Sequence, residues 1–121
     1  TFISNEAQAE ISSEMALFKD FQILNSGSKP SAYSLVHLTR SCTKLGWFSH
    51  GEQLHCCILK SGYVNYVFVA TALVNFYVKS HFLGSAQQLF EEMIEPNVVT
   101  WNTLISGYVR SGKFTDALNL F

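Results

Sequence analysis

Between residues 37 and 57 the chain gathers His37, Cys42, His50, His55, Cys56 and Cys57, the side-chain types that bind transition metals and act as nucleophiles. A structural zinc site would call for paired ligands a few residues apart, so that one turn presents both to the ion. No C-x2-C pair exists here, and adjacent Cys56 and Cys57 would point to different sides of a helix. When the chain is laid on itself, His55 falls on Phe90, a core position, so it is expected to pack and not to ligate. No serine or cysteine lies in a strand–elbow–helix context, and the glycines are scattered singly, so neither nucleophilic catalysis nor a phosphate-cradling loop is expected. The neighbours Glu91 and Glu92 fit a solvated helix face. The expectation is therefore no catalytic residue, no metal and no cofactor.

Three positions remain where a helical apolar stripe does not require the residue it has. They are Asn102 in VVTWN, Thr71 in the matching place upstream, and Val36 further back. Asn and Thr at the start of a helix read first as caps or solvent-facing groups. Their recurrence at one register leaves a binding role open beside that reading.

The elements that would position these residues come from internal repetition. At an offset of 31, residues 67–90 fall on 98–121 with 8 identities in 24 pairs, Leu73/Leu104, Tyr77/Tyr108, Ala86/Ala117 and Phe90/Phe121 among them. Composition alone would give about one or two. At an offset of 35 a weaker copy aligns Leu38 with Leu73, Lys44 with Lys79 and Leu54 with Leu89. Within a unit, Leu73, Val74, Tyr77 and Val78 lie on one helical face, and Leu104, Ile105, Tyr108 and Val109 repeat it. A breaker follows (SHFLG at 80–84, SGK at 111–113), then a second stripe of Ala86, Leu89, Phe90 and Met93, with Pro96 beyond it. Two helices joined by a short turn are antiparallel neighbours, and one such hairpin cannot bury its own apolar face. Hairpins must stack, which predicts an all-α solenoid.

The totals narrow the function. With 48% hydrophobic and 14% charged residues, the chain is no disordered tail. A formal net charge of −1 lacks the basic excess of a protein that holds nucleic acid by phosphate neutralisation. Any nucleic-acid role must rest on base contacts or on a longer array. Three cysteines, an odd number with two adjacent, suggest no disulfide framework and a reducing compartment. The longest apolar run, 66–78, is interrupted by Asn75 and falls short of the roughly 20 residues of a membrane span. Thr1 opens the chain, and Glu6, Glu10 and Glu14 precede Arg40, the first arginine, the reverse of a transit peptide. The chain is expected to be an excerpt of a longer protein.

PNVVTWNTLISGYVRSGKFTDALNLF, residues 96–121, resembles the pentatricopeptide repeats of plant organelle RNA-binding proteins. LTRSCTKLGWFSHGEQLHCCILKSGY (38–63) resembles the long variant of the PLS subclass, and VFVATALVNFYVKSHFLGSAQQLFEEM (67–93) the short one. The resemblance implies a right-handed α-solenoid of stacked helix hairpins. It divides the chain into an N-terminal segment at 1–31 holding the degenerate end of an upstream repeat (MALFKDF, 15–21), a long unit at 32–66, a short unit at 67–97 and a truncated unit at 98–121. It implies binding of single-stranded organellar RNA at about one base per repeat, read by two or three side chains. Carried over by position, Thr71 and Asn97 would read one base, adenine by the family's pattern, with Phe68 and Val99 sandwiching it. Asn102 would lean towards a pyrimidine, its second reader lying beyond Phe121. Val36 and Tyr66 depart from readable pairs, so the long unit is expected to pack or space.

The resemblance further implies a mitochondrial or chloroplast location and RNA processing such as C-to-U editing, with editing or processing factors as partners. The chain itself would be no enzyme, since the full H-x-E and C-x-x-C deaminase frame, both halves together, is absent from it. No membrane and no small-molecule substrate are expected. The competing reading is a protein-binding tetratricopeptide scaffold without RNA readout, whose spacing Trp101, Leu104, Tyr108, Ala117 and Phe121 also fit. Against it stand Ile105 where that motif has glycine, and a rhythm of 35 then 31 residues.

Overall fold

The computed structural model describes residues 15, 16, 19, 21, 22 and 30–120. Most of the expected N-terminal segment, much of MALFKDF, and Phe121 lie outside the described residues. From residue 30 onward six helices follow one another: α1 (Ala32–Leu45), α2 (Phe48–Ser61), α3 (Val67–Lys79), α4 (Leu83–Glu92), α5 (Val98–Arg110) and α6 (Phe114–Leu120). A single 3-10 turn, Tyr63–Asn65, joins α2 to α3, and the described residues contain no strand. The fold is the all-helical hairpin solenoid that the repetition predicts.

Each hairpin folds for local reasons. Ser31 caps α1, its hydroxyl accepting from the Ser34 N–H at 3.1 Å. Asn97 caps α5 in a reciprocal box with Thr100. The turns between paired helices repeat down to single hydrogen bonds. The N–H groups of Trp47, Phe82 and Lys113 donate to the carbonyls of Cys42, Tyr77 and Tyr108 at 3.0, 2.9 and 2.9 Å. These residues are equivalents at the offsets of 35 and 31. The residue before each donor enters the left-handed region: Gly46 at φ 74°, His81 at φ 67° and Gly112 at φ 75°. This is the Schellman ending of a helix, for which glycine is the unstrained choice. The breaker in the middle hairpin is shorter than SHFLG suggests. Leu83 and Gly84 already belong to α4, and Leu83 is buried, because its side chain reaches the core from the first turn.

Stacking follows from burial. Helix α3 packs on α4, α1 and α5, and α1 packs on α2, α5 on α6 and α4 on α5. The first helices α1, α3 and α5 thus form one continuous layer. Since α3 is covered by neighbours on several sides, it buries Val69, Ala70, Ala72, Leu73, Val74, Phe76, Tyr77 and Val78. Each large apolar side chain so buried stabilises by about 1.5–3 kcal/mol. The repeated tyrosines do more than fill space. Tyr77 on α3 hydrogen-bonds His55 on α2 at 2.7 Å, and Tyr108 on α5 donates to Gln87 on α4 at 2.8 Å. Each tyrosine therefore ties its hairpin to the preceding one. Small residues admit the contact: a Cβ on Gly51 would stand 2.0 Å from the Phe76 ring.

Candidate nucleic-acid interface

Because α1, α3 and α5 lie side by side, their first turns bring equivalent residues into one row. Val36, Thr71 and Asn102 grade from buried through half-buried to exposed. Val36 keeps only 7% of its surface, so an apolar group there belongs to the packing. Asn102 faces solvent.

Thr71 and Asn97 are brought together through a third residue. The Thr71 hydroxyl donates to the Val67 carbonyl at 2.6 Å and lies 2.7 Å from the Thr100 hydroxyl. The Thr100 hydroxyl in turn reaches Asn97 Oδ1 at 3.0 Å, and the Thr100 backbone N–H donates to the same Oδ1 at 3.0 Å. The Asn97 N–H donates back to Thr100 Oγ1 at 3.3 Å. Thr100 has no exposed surface. A line of hydrogen bonds therefore joins the start of α3 to the cap of α5. The capping pattern N-x-x-T announces the Asn97–Thr100 half of it. The link to Thr71 has no signal in the sequence, since it spans 29 residues.

The two flanking positions are open. Phe68 keeps 45% of its surface and Val99 59%. Tyr33, the equivalent of Phe68 in the preceding hairpin, is 84% exposed, its ring centroid 6.4 Å from that of Phe68 at a 42° tilt. Tyr66 also approaches Phe68, at 6.0 Å between ring centroids, and is 49% exposed. The long unit was expected to pack or space. Val36 does pack, yet Tyr33 and Tyr66, one within the first turn of a helix and one just before a helix, add two open aromatic faces beside Phe68.

Further along the same layer, a groove of about 270 Å³ runs between α3 and α5, with Asn75, Asn102 and Ser106 as polar lining, Val99 at one wall, and the cations Lys79 and Arg110 at its far end. Lys79 and Arg110 are equivalents in the repeat and close the last turns of α3 and α5. Their value as a pair of charges on this face emerges only once the two helices are set side by side.

The residues with potential metal or nucleophile chemistry are elsewhere. Cys42 is buried among apolar side chains, and burial pushes its thiol up to about 12, so it carries no thiolate at neutral pH. Cys56 is exposed and Cys57 half-buried on α2, while His55 is engaged with Tyr77. Among the described residues no group of three or more His, Cys, Asp or Glu is arranged to hold a metal ion, and no helix is long and apolar enough to cross a membrane.

Comparison with known proteins bears on this face. The family model described as "PPR repeat", the pentatricopeptide repeat, matches residues 68–98, and a second model of the same description matches residues 93–121. A putative pentatricopeptide repeat-containing protein of Arabidopsis thaliana is 41% identical over 100 residues, 83% of this chain and 17% of its own length. Another from Arabidopsis thaliana, named as chloroplastic, is 37% identical over 112 residues, 93% of this chain and 13% of its length. A putative one from the same plant, named as mitochondrial, is 37% identical over 116 residues, 94% of this chain and 18% of its length. The chain thus spans less than a fifth of these relatives.

Proposed function

The chain carries pentatricopeptide repeats, and from that premise we propose that the layer of α1, α3 and α5 binds single-stranded RNA, about one nucleotide to a repeat, within a mitochondrion or a chloroplast. The observation that carries the reading is Thr71 and Asn97, joined through the Thr100 hydroxyl and flanked by the open apolar side chains of Phe68 and Val99. A base needs two kinds of contact: polar groups for its edge and flat or apolar surface for its faces. This spot offers both, at the junction of two repeats. Asn102 begins a second such spot, and the aromatic faces of Tyr33 and Tyr66 supply stacking without edge recognition. Lys79 and Arg110 lie where a strand crossing the first helices would carry its phosphates. The relatives named as mitochondrial and chloroplastic support the organelle without choosing between the two.

The unit boundaries proposed from the sequence, 32–66, 67–97 and 98–121, give each nucleotide one first helix and the cap residue of the next. In this reading the chain targets and does not catalyse. The process it serves would be RNA maturation such as C-to-U editing, with the chemistry supplied by another domain or by an editing factor.

The test is single-nucleotide preference in the full-length protein. Wild type should favour adenine at the nucleotide facing Thr71 and Asn97, and Thr71→Asn should move the preference there towards a pyrimidine. The change should be about five- to tenfold, the worth of one net hydrogen bond with its stacking. Equal binding of all four RNAs by both proteins would sink the proposal and favour a protein-binding scaffold.

A further inference from the structure

We infer that the groove between the second helices α2 and α4 docks an amphipathic helix of a partner protein, one whose apolar face is bordered by lysine or arginine. The surface belongs to the other layer of the solenoid, and the inference does not depend on the RNA-binding reading.

The groove arises from how the two layers pack. The first helices lie against one another, α1 on α3 and α3 on α5, whereas α2 and α4 make no comparable contact. A space of about 530 Å³ is left there. Leu59 of α2 and Leu89 of α4 line it, with Met93 and Ile94 just beyond α4, and Val67 and Ala70 come from α3. Leu59 and Ile94 are equivalents at the offset of 35, and they are 51% and 84% exposed. Two consecutive units thus hold an apolar side chain in water at the same register, facing one groove. Clustered apolar exposure of this kind marks an interaction site.

Ala70 explains why the space opens at this junction. Its equivalents are Leu35, fully buried in α1, and Trp101 in α5, whose ring meets that of Phe90 at 4.6 Å. Where the neighbouring units have an isobutyl group or an indole, α3 offers a single methyl. Both walls of the groove belong to units already stacked on each other, so the stacking of further units does not fill it.

Charge identifies the occupant. The helices α1, α3 and α5 carry Arg40, Lys44, Lys79 and Arg110 and no carboxylate. The helices α2 and α4, with the loop after α4, carry Glu52, Glu91, Glu92 and Glu95 against one cation, Lys60. Cations and carboxylates are therefore sorted between the two layers. The groove has Glu92 and Glu95 in its lining and no cation, so it repels a phosphate strand and complements a basic partner. A small molecule would need several convergent polar groups to orient it, and besides the carboxylates the lining offers Asn65 alone. The side chains of a third helix seat naturally between two helices held apart, with anchors at i, i+3 or i+4, and i+7. Met93 can adjust to such anchors.

The experiment presents a random display library of peptides about 16 residues long, some four helical turns, to the immobilised full-length protein. The peptides retained should carry apolar residues at that helical spacing, with lysine and arginine outnumbering aspartate and glutamate. Individual peptides should bind the double variant Leu59→Ser, Ile94→Ser about tenfold or more weakly. Both side chains are exposed, so its circular dichroism should match wild type. The double variant Glu92→Lys, Glu95→Lys should reverse the charge preference and retain acidic peptides. Retention of no such peptides by wild type, or of neutral or acidic ones, would overturn the inference. Binding left intact by both double variants would place the occupant elsewhere and overturn it equally. So would displacement of the peptides by single-stranded homopolymer RNA, which would assign the groove to nucleic acid. A dimer of the full-length protein, seen by light scattering and dissociated by Leu59→Ser, Ile94→Ser, would make a second copy the occupant and overturn it as well.

Discussion

His55 and Tyr77 meet at 2.7 Å across the boundary between α2 and α3, and the position of that histidine in a packed interface has a measurable consequence. Burial holds its imidazole below the usual 6.5, an effect that the carboxylates of Glu92 and Glu52 only partly offset. The unfolded chain then takes up the proton more readily than the folded one. Stability from this site is complete above about pH 6.5 and declines as the pH falls through the lowered value. The melting temperature should drop between pH 7 and pH 5, before most carboxylates titrate. In His55→Phe, which copies the residue at the equivalent position 90, that part of the pH dependence should flatten. An unchanged slope would mean that His55 is solvated in both states. Burial likewise raises the Tyr77 and Tyr108 hydroxyls above the ordinary tyrosine value, so both stay protonated while bonded to the preceding hairpin.

At the scale of the elements, the hairpins exchange bulk between facing helices. Gly51 on α2 lies under the fully buried Phe76 of α3, and in the next hairpin the large residue gives way to Gly107 on α5, where a Cβ would stand 2.8 Å from Val78. Gly51→Ala must displace the Phe76 ring, which is packed against Phe48 at 5.6 Å and cannot swing away freely. It should cost about 1–3 kcal/mol, visible as a lower melting temperature with secondary structure retained. The turn between α3 and α4 has the opposite defect. His81 occupies the left-handed position that Gly46 and Gly112 hold in the flanking hairpins. Relieving that backbone strain, His81→Gly should stabilise by about 1 kcal/mol, and a neutral or lower melting temperature would show that the histidine side chain compensates. The periodicity in the sequence located the helices from residue 32 onward, since a stripe and its breakers are local properties. It extended the α3–α4 breaker too far, because Leu83 reads as turn by neighbourhood and as core only by what it touches.

For the whole molecule, the near-neutral charge and the arrangement of first helices together predict how binding responds to salt. With a formal net charge of −1, no general field attracts a polyanion. Lys79 and Arg110 nevertheless stand at one end of the groove between α3 and α5, where two phosphates of a crossing strand would be neutralised. Replacing both with alanine should reduce the slope of log affinity against log salt by about 1.4, at about 0.7 per single-strand phosphate. Nucleotide preference should be left as it was. A slope unchanged by the double variant would place the strand elsewhere. Within relatives of which this chain spans less than a fifth, such contacts add along the array, so the slope belongs to the full-length protein.

Sequence alone determined the repeat, the helical class, the stacking of hairpins and the row of positions that includes Thr71 and Asn102. All of these depend on spacing along the chain and on the need of an amphipathic hairpin to cover its apolar face. It also marked Asn97 as a position of interest, and its N-x-x-T spacing to Thr100 carries the signal of a helix cap. What only the tertiary structure decided is which polar groups remain free to act. Thr71 and Thr100 are 29 residues apart and meet because α5 lies on α3. That contact engages two hydroxyls that the sequence alone would leave free, and no property of either residue taken singly contains it.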